Sequence, residues 1–185
     1  MDNEGRDILQ YPIYNDKPGE MAKNLAQALL FGKTATEEAQ SWVESGFKSL
    51  SAKETAAYQG MTEGGTDQRE SYAFVTAMKK VDDKNAKLAM LYAYDIPQNA
   101  KTAYYYSVMA SDEEQAKMDA LAADGVGYDA YMQYKQTYFK QFGTQAVSQE
   151  RIQTVLDGMN LTKAQKAALW AAMGTSWKEE NNPYK

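Results

Sequence analysis

The sequence predicts an all-α fold, and three observations carry that prediction. Alanine, lysine, glutamine and glutamate are plentiful while valine and isoleucine are scarce, a balance that favours helix over strand. Ser or Thr followed three residues later by Glu or Gln recurs ahead of apolar periodic segments. At that spacing a cap and its partner satisfy each other's orphan amides. Glycines then close the periodic stretches, where a left-handed residue ends a helix cheaply. Together these signals predict about nine or ten short helices in one helical domain over 18–185, with an extended arm over 1–17. A subdomain break is expected near 110, around Met109-Ala110-Ser111.

The arm comes first. Ile8-Leu9-Gln10-Tyr11-Pro12-Ile13-Tyr14 alternates weakly, and Pro12 demotes it from a strand to an extended arm or edge. Capping boxes then mark helix starts at Ser51/Glu54, Ser111/Glu114 and Thr162/Gln165, and Asp67/Glu70 repeats the geometry with an aspartate cap. Asp82-Asp83 puts negative charge at the start of the helix after it, where the dipole favours it, and Pro97 opens another, since a first-turn proline has no amide to waste. Helix ends are expected at Gly32, Gly46, Gly60, Gly125, Gly143 and Gly174. The segment from Leu50 through Tyr58 echoes that from Leu161 through Leu169, as any two capped helix starts do, and no fixed repeat period follows from it.

Helical spacing gathers Tyr128, Tyr131, Met132, Tyr138, Phe139 and Phe142 on one side of a helix, with Lys135 projecting from the stripe. Two readings are open. The stripe faces the core with the lysine stem laid along the rings, or it is an exposed aromatic surface awaiting a partner. Tyr104-Tyr105-Tyr106 adds three consecutive rings that cannot all enter one core, so at least one is expected at the surface. Asp112-Glu113-Glu114 stands at a helix start, where negative charge complements the helix dipole.

The chain has no histidine and no cysteine, which removes the commonest general base, the best thiol nucleophile and the usual zinc ligands. No phosphate-binding loop, dinucleotide-binding glycine pattern or nucleophile elbow occurs. No spacing selects any pair among the many carboxylates, so the sequence argues against an enzyme and implies neither cofactor nor metal. A net charge of −5 with only three arginines (Arg6, Arg69, Arg151) argues against direct binding to duplex DNA. No apolar run reaches the roughly 20 residues that span a bilayer, and the start Met1-Asp2-Asn3-Glu4 is no secretory signal. With no cysteine either, a cytoplasmic location is the simplest expectation.

One stretch carries a family resemblance. Val155-Leu156-Asp157-Gly158-Met159-Asn160-Leu161-Thr162-Lys163-Ala164-Gln165-Lys166-Ala167-Ala168-Leu169-Trp170 is followed by Trp177 and by Asn181-Asn182-Pro183-Tyr184. The tail is expected to fold back so that Trp177 and Tyr184 cover the Leu169/Trp170 face. The stretch resembles a segment of large multidomain phage and prophage proteins, the polyvalent or virion-associated proteins. In those, a Leu-Asp-x-Leu turn precedes Leu-[Ser/Thr]-x-x-Gln-Lys-x-x-Leu-[Trp/Tyr] and an Asn-Pro-aromatic close. Glu38-Ala39-Gln40-Ser41-Trp42-Val43-Glu44-Ser45-Gly46-Phe47, with Leu50-Ser51, looks like the segment before it. The relatives are domains of giant polypeptides, whereas this chain has 185 residues.

The resemblance implies a phage or mobile-element origin and a helical module, and it supplies no catalytic residues. A small acidic helical phage protein is expected to act by binding a host protein. The first expectation is an anti-CRISPR-type inhibitor that docks on the basic channel of a Cas nuclease or its guide complex. Tyr104, Tyr105 and Tyr106 would be its anchors, and Asp112, Glu113 and Glu114 its acidic patch. The alternative is a structural or assembly module associated with the virion. A carboxylate–magnesium hydrolase is a third reading.

Overall fold

The computed structural model describes residues 50–174 and 176–185. Among these residues there are eight α-helices and no strand. In chain order they are α1 (Ala52–Glu63), α2 (Gln68–Lys79), α3 (Lys84–Ala93), α4 (Gln98–Tyr104), α5 (Asp112–Ala123), α6 (Tyr128–Phe142), α7 (Gln149–Asp157) and α8 (Lys163–Met173). A π-helix, Tyr105–Met109, continues α4, and a 3-10 turn, Glu179–Asn181, follows α8. The expected arm over 1–17 and the helix ends expected at Gly32 and Gly46 lie outside the described residues. Eight helices over the shorter span therefore stand against the about nine or ten expected for 18–185.

Most helix starts form as their side chains dictate. Ser51 Oγ accepts from Glu54 N–H at 3.1 Å while Ser51 N–H donates to Glu54 Oε1 at 2.8 Å, closing the box reciprocally. Thr162 and Gln165 do the same at 3.2 and 2.9 Å. Asp67 and Asp83 each accept an amide from the residue three positions on. Gly60 corrects the expected helix end. It lies inside α1, where a Cβ would stand 3.2 Å from Ala103 Cβ, so it permits close packing rather than termination. Gly125 does end its helix in the left-handed region, at φ 86°.

The chain divides into two compact units. Among the described residues, one takes those up to Lys87 together with Asp95–Val108, and the other takes Leu88–Tyr94 and those from Met109 to Lys185. The last crossing, between Val108 and Met109, falls inside the π-helix.

In the first unit α1 packs on α4 and on α2. Ala57, Tyr58 and Met61 of α1, Phe74, Val75 and Met78 of α2, and Ala100 and Tyr104 of α4 are buried at helical spacing. Phe74 and Tyr104 meet edge-to-face with centroids 5.1 Å apart. In the second unit α5, α6, α7 and α8 form a closed cycle, each packing on the next and α8 returning onto α5. Met118, Leu121, Tyr131, Met132, Tyr134, Ile152, Val155, Leu156, Leu169 and Trp170 fill it.

The α6 stripe faces this core. Tyr131 and Met132 are buried, Tyr138 nearly so, and Tyr134, which the stripe omits, is buried beside them. Only Tyr128 at the end of the stripe is exposed. The tail after α8 folds back in part as expected, with the Trp177 ring 4.7 Å from that of Trp170. Tyr184 departs from the expectation by sending its hydroxyl to α7, 2.7 Å from Asp157 Oδ1.

Candidate protein-binding face

The tyrosines expected as contact anchors are mostly interior. Tyr104 has no exposed surface and Tyr105 only 4%, while Tyr106 is half-buried. Of the three rings, at least one of which is expected at the surface, only Tyr106 keeps an appreciable part of its surface. The chain enters a π-turn at Tyr105, and the wider turn changes the angle between successive side chains. Burial pushes the Tyr104 hydroxyl up to about 12, helped by the charge of Glu54. Tyr104 and Tyr105 thus serve the fold as the chain stands. They also belong to the first unit and the expected acids to the second.

Among those acids, Asp112 and Glu113 are exposed and Glu114 is not. Ser111 Oγ accepts the Glu114 amide at 3.2 Å, so the cap forms. The carboxylate, however, accepts from the buried Tyr131 hydroxyl at 2.6 Å and from Lys135 Nζ at 3.3 Å. Glu114 is therefore a link between α5 and α6. Its charge, after burial, also raises the Tyr92 hydroxyl far above the usual phenol range.

The outward face of α5 is another matter. Asp112, Glu113, Asp119 and the cap residue Asp124 are all exposed, interleaved with exposed Ala116, Ala120 and Ala123. The exposed ionisable side chains on this helix and its cap are carboxylates, and its one cation, Lys117, is half-buried at the edge of the cavity described below. Asp112, Glu113 and Asp124 make no side-chain hydrogen bond or ion pair with any described residue. Tyr128, 39% exposed, borders this face and donates to Asp119 Oδ1 at 2.8 Å, with exposed Asp129 beside it.

Six carboxylates and one lysine lie between residues 112 and 129, matching in size the excess negative charge of the whole chain. Asp119 and Asp124 lie beyond the first-turn acids that the sequence singles out, while Tyr128 enters there as a member of the α6 stripe. The run of acids with a single Lys117 was the available signal.

Other titratable groups are scattered. Lys101 is buried in the first unit, and burial lowers its pKa against the opposing pull of Asp95. Among the described residues no three His, Cys, Asp or Glu side chains gather as a metal-binding group. No described helix is long and apolar enough to cross a membrane. In the second unit a cavity of about 440 Å³ opens between α5, α8 and the tail, lined by Lys117, Leu121, Asp124, Ala168, Ala171 and Asn182 among others.

The geometry as a whole offers a rigid helix presenting carboxylates and one ring at its border, which is recognition chemistry. Comparison of the chain with protein-family models, with curated proteins and with solved structures found no match.

Proposed function

We propose that this is a phage or mobile-element protein that binds a host protein and blocks it, as an anti-CRISPR-type inhibitor of a Cas effector nuclease. The observation that carries the reading is the outward face of α5, with Asp112, Glu113, Asp119 and Asp124 exposed and no exposed cation among them. These carboxylates run roughly 18 Å along one rigid axis, at 1.5 Å per residue. Carboxylates so arrayed compete with nucleic-acid phosphates for a basic channel and steer encounter with it. Tyr128 at the border adds a stiff aromatic contact. The origin rests on the C-terminal resemblance, and the site of action would be the host cytoplasm.

The test is a reconstituted DNA-cleavage assay in which a guide-loaded type II Cas effector is titrated with the protein while binding is followed in parallel. Inhibition saturating at a small fixed ratio is expected. Glu113→Lys, Asp119→Lys and Asp124→Lys together should weaken binding at least tenfold with helicity unchanged, since each close charge pair at an interface is worth about 1.5 kcal/mol or more. Full-strength inhibition by that variant would remove the acidic face from the mechanism. Unaltered cleavage and no complex across several effectors would favour the alternative, a virion-associated module, which co-sedimentation with phage particles would detect.

A further inference from the structure

Residues 176–185 are attached to the second unit in an unusual way. Every backbone hydrogen bond they make among the described residues is local: Asn181 N–H to Lys178 O, Asn182 N–H to Glu179 O and Lys185 N–H to Asn182 O. What holds them to the helices is a small set of side chains. Asn182 Nδ2 donates to Ala167 O at 2.9 Å, and its Oδ1 accepts from Tyr184 N–H at 3.1 Å. The Tyr184 hydroxyl lies 2.7 Å from Asp157 Oδ1 and 3.2 Å from Gln153 O. Trp177 lies against Trp170, and Lys185 pairs with Glu179 inside the segment.

This segment also covers something. Trp170 is 1% exposed beside the Trp177 ring, and Glu179, Asn182 and Lys185 form one wall of the cavity whose other walls are α5 and α8. A segment tied by point contacts and by no shared backbone ladder can open below the free energy of global unfolding.

We propose that residues 176–185 are a strap that opens and closes as a unit over Trp170 and the α5–α8 cavity while the four helices stay folded. Asn182 and Tyr184 are its fasteners, because one bonds α8 and the other α7. Asp124 of the acidic face borders the same cavity, but the fasteners bond α7 and α8 and not α5, so the strap stands whether or not that face binds a Cas effector.

The chain lacks cysteine, so single thiols report opening without background. Ala168→Cys places one on the cavity wall, where the side chain is half-buried and labels at a closed-state baseline, and Val155→Cys places one in the fully buried core of α7. Pulsed thiol labelling of the full chain, with and without Asn182→Ala or the conservative Tyr184→Phe, measures the two openings separately. Each fastener substitution should raise the labelling at position 168 that exceeds the closed-state baseline about five- to tenfold and leave position 155 unchanged, with helicity intact. Labelling at both positions rising in parallel would mean that the segment opens only with the whole unit. Labelling at 168 unmoved by either substitution would mean that the segment does not cover the cavity. Either result overturns the strap.

Discussion

Replacing Glu114 tests whether its carboxylate belongs to the fold or to a binding surface. Its Oε1 accepts at 2.6 Å from the hydroxyl of Tyr131, which is 1% exposed. A hydrogen bond to an ionised partner contributes about 1.5–3 kcal/mol at such a site. The pair with Lys135 contributes less. Its nitrogen lies 3.3 Å away, but the two side chains keep 33% and 18% of their exposure, so solvent screens it to about 0.5 kcal/mol. A carboxylate in the first turn adds about 0.3–1 kcal/mol with the helix dipole. Glu114→Ala should therefore cost the second unit about 2–4 kcal/mol, which lowers its thermal midpoint by roughly 10–20 °C for a body of this size. Glu114→Gln keeps an acceptor and should cost about half as much.

The assay is thermal and urea unfolding followed by circular dichroism, run as a double-mutant cycle with Tyr131→Phe. The coupling energy isolates the hydroxyl–carboxylate bond and should reach about 1–2 kcal/mol. A coupling below about 0.5 kcal/mol, or a Glu114→Lys protein as stable as wild type, would refute the argument. It would return Glu114 to the exposed acidic patch.

Three further outcomes follow from the same geometry. Burial raises the hydroxyls of Tyr58, Tyr92, Tyr104, Tyr134 and Tyr184, Tyr104 to about 12, so their neutral forms stabilise the fold fully below the unfolded value near pH 10. That stability is lost as pH rises through the folded values. An alkaline titration should show these phenols ionising together with loss of helicity above about pH 12, and early ionisation without unfolding would contradict it. Gly174→Ala puts a Cβ 2.0 Å from the Trp177 ring although its backbone angles suit any residue, so near-ultraviolet dichroism should lose the Trp170–Trp177 signal while helix content stays. Thr162→Ala should cost about 1 kcal/mol by loss of the cap. Gln165→Ala should cost more, because Gln165 Nε2 also donates to Gly125 O at 3.0 Å; equal costs in urea melts would show that second bond to be idle.

Local chemistry was legible in the sequence, and its partners across the fold were not. The box at Ser51/Glu54 closes because Lys79, the distant group at Glu54 Oε1, stands 4.0 Å off and leaves the oxygen to Ser51 N–H at 2.8 Å. In the box at Thr162/Gln165 the distant bond to Gly125 uses Nε2 and leaves Oε1 to Thr162. Ser111/Glu114 has the same spacing, yet Glu114 is taken by Tyr131 seventeen residues on. Sequence spacing is blind to that competition. Gly60 was misread for a similar reason: its role depends on Ala103, a residue of another helix. On α6 the apolar face was legible from periodicity, but whether anything covered it depended on α5 and α7. Which of Tyr104, Tyr105 and Tyr106 keeps surface was not legible, because the chain passes into a π-turn at Tyr105 that buries the first two and leaves the third half-buried. Charge was the reverse case. The acids between 112 and 129 can be counted in the sequence, while their sorting into inner Glu114 and outer Asp112, Glu113, Asp119 and Asp124 needs the packing of Met118 and Leu121.

That sorting separates what α5 does for the fold from what it offers to a partner. Met118, Leu121 and Glu114 turn inward, and of the outer acids only Asp119 is tied to another helix, through the Tyr128 hydroxyl. Their density does not strain the helix. On the outer face no two acids stand three or four residues apart, and alanines at 116, 120 and 123 separate them and supply helix propensity. Asp112 and Glu113 have a structural account in the first turn, where the dipole favours them. Asp119 and Asp124 lie beyond its reach. The array is roughly 18 Å long, more than twice the screening length of about 8 Å at physiological salt. A basic partner following the face would therefore meet several nearly independent charges, and its affinity should fall steeply with salt. Asp119→Asn with Asp124→Asn removes two of those charges without touching the core. If the face binds, this pair should flatten the salt dependence of the complex and cost urea stability about 1 kcal/mol or less, since Asp119→Asn keeps an acceptor for the Tyr128 hydroxyl but gives up its charge. If the acids only solvate the helix, the salt dependence will not move.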